Sequence, residues 1–116
     1  MEELDIPIFK RAYDLTKKLY ELRAAVSKQD RIALWPRCEA LMLEVLEGIL
    51  LASQMRKPQK LEPLERVSLK LNVLRVFLRL AKDVKAIDLK KYAQIEEMVD
   101  EVGRMLGGWI KSTRDA

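Results

Sequence analysis

The stretch VSLKLNVLRVFLRLAKDVK, Val67 to Lys85, decides how the rest of the chain is read. Wound at about 100° per residue, it places Val67, Leu71, Leu74, Leu78 and Ala81 on one face. Leu69, Val73, Val76, Leu80 and Val84 fall on a second face, well away from the first. Arg75, Arg79 and Lys82, at i, i+4 and i+7, form a basic ridge between them. A helix on the surface of a monomer needs one apolar stripe; this one has two. Either it is central in the molecule, or its second stripe meets another subunit. A four-helix bundle of 116 residues has no central helix, so the second stripe is expected at a subunit contact.

Working outward, three more helices are predicted. The first spans about 6–27, with Asp5 as its cap, Pro7 in its first turn, and Ile8, Ala12, Leu15, Leu19, Leu22 and Val26 as a heptad-like seam. KQDRIAL, residues 28–34, has no clear period and reads as a loop. The second helix spans about 35–56. Cys38, Met42, Val45, Ile49 and Ala52 form its stripe, widened by Leu41, Leu46 and Leu50, while Glu39, Glu44 and Glu47 mark the wet side. The prolines of KPQKLEP stop that helix and start the third, about 62–86, with Pro63 in its first turn. Asp88 caps the fourth helix, about 88–112, whose stripe is Tyr92, Ile95, Val99, Val102, Leu106 and Trp109. Its acids come early and its bases late, which suits the helix dipole and needs no ligand. No segment alternates as a strand would, and the connections are short. The expectation is an all-α, antiparallel up-down-up-down four-helix bundle, a single domain over 1–116.

GRMLGGWIKS, Gly103 to Ser112, sits in that last helix with three glycines in six positions. Each interior Gly costs roughly 0.5–1 kcal/mol of helix stability relative to Ala. Gly103 and Gly107 share a face and form a groove for a closely approaching helix, with Trp109 as the anchor beside it. Two readings stay open: a tight crossing inside one subunit, or a contact between subunits.

Composition narrows the function. Apolar residues make up 49% of the chain, enough for a core, and there is no His and a single Cys. Zinc sites and Ser/Cys–His nucleophile pairs need residues this chain lacks, and no phosphate-binding glycine motif is present. Cys38 reads as a small buried hydrophobe. The carboxylates fall at spacings of solvated helix faces. A non-enzyme is expected, with no catalytic residue, metal or cofactor. No apolar run is long enough to span a membrane, and MEELDIPIF does not resemble a signal peptide, so no membrane partner and a cytoplasmic location are expected.

The net charge of +4 is uneven. Residues 1–65 balance to zero, and the whole surplus lies in 66–116. Within 66–86, Arg66, Lys70, Arg75, Arg79, Lys82 and Lys85 face only Asp83. A surplus confined to one segment points to a polyanionic partner. With Arg104, these are the candidate nucleic-acid contacts; Leu69, Val73, Val76, Leu80, Gly103, Gly107 and Trp109 are the candidate oligomer interface. Arg75 and Arg79 keep an alternative: snorkelling, or pairing with Glu96 or Asp100 of a neighbouring helix.

Residues 69–112 resemble the accessory variability determinant proteins of diversity-generating retroelements. The resemblance is carried by Leu74, Arg75, Leu78 and Arg79 and by the closing Gly103, Arg104, Leu106, Gly107, Trp109 and Ile110; the first two helices match in pattern and length alone. It implies a basic four-helix bundle assembled as a ring-shaped homopentamer, without catalytic residues. It also implies binding to nucleic acid (RNA or DNA, with little sequence reading) and to the retroelement's reverse transcriptase, in support of mutagenic cDNA synthesis. The charge of +4 is lower than the resemblance implies. The bundle proteins encoded in ribosomal RNA intervening sequences share the architecture, and a protein-interaction module that touches no nucleic acid is the other alternative.

Overall fold

Ile6 is extended at the start of the first helix, and Pro7 occupies its first turn, where a missing N–H costs nothing. In this computed structural model, which describes residues 6–115, helix α1 runs Pro7–Leu22. Asp5, the expected cap, lies outside the described residues, and the cap position is held by Ile6. The helix stops well before residue 27. The Arg23 amide bonds to the Tyr20 carbonyl rather than to that of Leu19, which tightens the chain into a 3₁₀ turn, Arg23–Ala25. The Leu19 carbonyl is taken instead by the indole Nε1–H of Trp35, at 2.9 Å. Val26 then turns extended yet stays buried with the seam.

The segment expected to be a loop contains a short helix, α2, Lys28–Ile32. Its start is fixed by the Ser27 carbonyl, which accepts from the amides of Asp30 and Arg31. Helix α3 follows at Leu34–Ser53, with the whole predicted stripe from Cys38 to Ala52 buried. Glu39, expected on the wet side, is buried as well. Arg23 reaches in from the 3₁₀ turn and donates to both of its carboxylate oxygens at 2.8 Å. That hydrogen-bonded pair raises the Arg23 pKa, with the Glu39 charge adding to it. A helical wheel sees only the helix's own faces, so it misses a carboxylate buried by a neighbouring turn.

Helix α4, Lys57–Asp83, begins earlier than predicted. Pro58 sits in its first turn, and Pro63 lies inside the helix. Pro63 has no N–H to donate to the Gln59 carbonyl, and Gln59 is an exposed residue of the first turn. The far end closes at Asp83 rather than 86. The Ala86 amide bonds to the Ala81 carbonyl and the Lys85 amide to that of Lys82, the paired pattern of a Schellman cap. Its left-handed position is held by Lys85, φ 63°, where glycine would be free of strain.

Asp88 caps α5, Leu89–Arg114, as expected: its carboxylate accepts from the Lys91 amide at 2.8 Å. Bonds from the Lys91 side chain and amide, in that order, hold the Asp88 pKa below its usual 3.8. The long helices pack in a circuit, α1 on α3, α3 on α4, α4 on α5 and α5 on α1. The core fills the inside of that circuit in a body of 46 × 26 × 21 Å. Among the described residues the fold is all-helical. The Ser27 amide bonds to the Ala86 carbonyl at 3.1 Å, so the α1–α2 and α4–α5 connections meet at one end.

Candidate assembly and nucleic-acid surface

Helix α4 divides as its periodicity requires. Val67, Leu71, Leu74, Leu78 and Ala81 are all at most 2% exposed. On the opposite side Leu69 is 64% exposed, Val76 63%, Val84 52% and Leu80 45%, with Val73 half-buried between them. This second stripe faces outward from the circuit. Over about 22 Å of helix it forms an apolar ridge of the kind a monomer rarely leaves open.

The seven candidate cations fall into two groups. Arg66 pairs with Glu62 on its own helix. Lys70 reaches across to Glu44 of α3 at 2.6 Å. Arg75 bonds to Asp100 of α5, the neighbouring-helix pairing that the sequence left open for it. Lys82 lies near Asp83, at 3.6 Å, and its ammonium stands 5.0 Å from the centre of the Tyr92 ring. Arg79, Lys85 and Arg104 are exposed and make no ion pair among the described residues. Arg79 borders a hollow between α4 and α5 with Val76, Tyr92 and Glu96. There the Tyr92 hydroxyl donates to Glu96 at 2.9 Å, and partial burial, then that carboxylate, raises the Tyr92 pKa. The unpaired positive charge next to the ridge is therefore Arg79, with Arg104 on α5 bordering a second hollow beside Ser68, Asn72 and Gly107.

The glycines separate too. A Cβ on Gly103 would come within 2.5 Å of Arg75 Nη2, so Gly103 makes room for the guanidinium that pairs with Asp100. Gly107 and Gly108 have open space where a Cβ would stand. The expected groove from Gly103 to Gly107 therefore holds no tight helix crossing within the chain at Gly107. The close helix crossing is at Gly48 of α3, which the sequence reading passed over. A Cβ there would lie 2.3 Å from Val67 Cγ2. Trp109 is half-buried against the core, with Lys60 Nζ 5.5 Å from its ring centre.

A third feature had a weak trace in the sequence. Tyr13 and Tyr20, seven apart on α1, fall outside its seam and line a hollow with Leu43 and Leu46, edged by Lys17 and Glu21. Cys38 is fully buried, and burial, then the Glu39 charge, pushes its thiol up to about 12. Among the described residues no group of His, Cys, Asp or Glu could hold a metal ion, and no helix is long and apolar enough to cross a membrane.

A family model described as bAvd-like, for the bacterial accessory variability determinant, matches residues 7–113. The chain belongs to this family. The match reaches from α1 into α5, including α1 and α3, where the sequence resemblance rested on pattern and length. No curated protein and no solved structure matches the chain. An Avd-type protein is an accessory protein, and the surface just described is where an accessory role has to be sought.

Proposed function

We propose that this chain is the non-catalytic accessory protein of a diversity-generating retroelement, an antiparallel up-down-up-down four-helix bundle that assembles into a ring and binds nucleic acid and the element's reverse transcriptase. The observation that carries the reading is the outer face of α4. An apolar ridge lies open beside the unpaired Arg79, in a chain of the bAvd-like family. Repetition of Arg79, Arg104 and Lys85 around a ring would gather a modest charge into a dense phosphate-binding array. Such an array reads phosphates rather than bases, so it suits a template RNA or its cDNA without sequence preference. Lys70 and Arg75 already have carboxylate partners; their part is to hold α4 against α3 and α5. The open surface at Gly107 and Gly108, with Trp109 beside it, extends the area on which a second subunit or the polymerase can close.

The test is titration with a structured RNA at rising salt, alongside co-purification with the reverse transcriptase of a diversity-generating retroelement. Binding should weaken steeply as salt rises. Arg79→Glu with Arg104→Glu should abolish RNA binding while helix content and assembled mass are kept. Binding indifferent to salt, or unchanged in the double variant, removes the electrostatic part of the reading.

A further inference from the structure

The hollow that Arg104 borders holds more than a charge. It lies between α4 and α5, over the buried Leu71 and Leu106. Ser68 and Asn72, one turn apart on α4, line one side, and Arg104 lines the other. None of these three side chains has a hydrogen-bond or ion-pair partner among the described residues. For Ser68 that is informative. Thr16 and Ser53 turn their hydroxyls back to the carbonyls of Ala12 and Leu50, the usual resort of a hydroxyl on a helix. Ser68 does not. Gly107 lines the same hollow and has open space where a Cβ would stand, so a group can sink between the two helices there.

The charges around the hollow favour an anion. Lys111, one turn beyond Gly107, is exposed and makes no ion pair among the described residues. Asp100 lines the hollow, but its carboxylate is held by Arg75. Glu65, three residues before Ser68, is held by Arg114. We infer that this hollow seats one phosphate group, with Arg104 supplying the charge and Ser68 and Asn72 the orienting hydrogen bonds. Donors arriving from two helices suit the tetrahedral oxygens of a phosphate, and Ser, Asn and Arg are all donors to phosphate oxygens. The phosphate belongs to a nucleic-acid backbone or to a free nucleotide. The inference rests on the nucleic-acid reading above for the first of these sources, and it adds two neutral ligands to that reading.

The experiment reads affinity and salt dependence together. Ser68→Ala and Asn72→Ala, combined in the full chain, substitute the best helix former at both positions, and circular dichroism checks that the fold is kept. Affinity for a structured RNA should fall about tenfold. The slope of affinity against salt should stay that of the wild type, because a neutral ligand releases no counterion. Arg104→Gln should lower affinity and slope together. Inorganic phosphate and a nucleoside monophosphate then probe the seat without RNA. At constant ionic strength in a ¹⁵N spectrum, each should move the amide signals of Gly103 and Gly107 to saturation in the wild type and not in the double variant. Gly48, at the α3–α4 crossing, should stay in place, and chloride should move none of them. RNA affinity unchanged in the double variant, with both phosphate responses intact in the wild type, assigns the seat to a free nucleotide. Glycine signals indifferent to phosphate, with RNA affinity unchanged in the double variant, overturn the seat; RNA binding that still falls steeply with salt then leaves the phosphate-array reading standing. A phosphate response in a protein that binds no RNA keeps the seat and removes that reading.

Discussion

The two faces of α4 are built from the same residues and differ in what lies opposite. The inner face has α3 and α5 against it, and its leucines are closed to water. The outer face has leucines and valines in equal density, and all but the half-buried Val73 stand exposed. Composition therefore does not tell a core from an interface. What separates them is whether the same chain supplies the opposing surface, and on the outer side it does not. The inner face sets the stability of the chain, and in the proposed assembly the outer face is where another subunit joins.

This contrast is broken most easily at its inner edge. Leu74→Ala should lower the unfolding free energy by about 2–5 kcal/mol, the cost of a cavity in a closed core. The same truncation on the outer side, Val76→Ala, should change monomer stability by no more than about 0.5 kcal/mol while weakening assembly. Urea unfolding of both variants at low concentration, with mass measurement at high concentration, checks the pair. Equal losses of stability at the two sites would erase the distinction.

The glycines sharpen it. Gly48→Ala forces a methyl onto Val67, a β-branched side chain with little freedom to turn, and should cost about 1–3 kcal/mol. Gly107→Ala meets open space and should raise helix stability by about 0.5–1 kcal/mol in the free subunit. Reduced assembly in that stabilised variant would place Gly107 at the subunit contact. Lys85→Gly relieves the left-handed residue of the α4 cap and should stabilise by about 1 kcal/mol. It also removes a candidate phosphate contact, so a more stable protein with weaker RNA binding is the expected outcome. The smallest effect is at Asp88. Its pKa is depressed in the fold, so its stabilising contribution is complete above its ordinary value of 3.8 and fades as the pH falls through the lower folded value. The gap in thermal midpoint between wild type and Asp88→Ala should therefore narrow below pH 3.8.

The long helices, both stripes of α4, the Asp88 cap and the buried Cys38 were legible in the sequence, because each follows from a period or a short-range rule. What escaped depended on contacts between distant segments. The end of α1 is set by Trp35, which claims a carbonyl sixteen residues back. Glu39 reads as a wet residue until Arg23 folds over it. Pro63 looks like a helix start because Pro58 does the same work five residues earlier. The glycine run drew attention by its density, yet Gly48, alone in its helix, makes the close approach. The candidate cations came from the charge count of one segment. Whether Arg75 and Lys70 were free depended on where Asp100 and Glu44 come to rest, and helix period alone does not fix that.

The two tryptophans occupy opposite settings. Trp35 is sealed in the core with its indole hydrogen-bonded, and Trp109 is half open beneath the ammonium of Lys60. Their emission should differ accordingly, short in wavelength from the first and longer from the second. In a Trp35→Phe protein the remaining fluorescence comes from one indole beside Gly108, so a blue shift or quench on mixing would time the arrival of whatever closes over that part of α5.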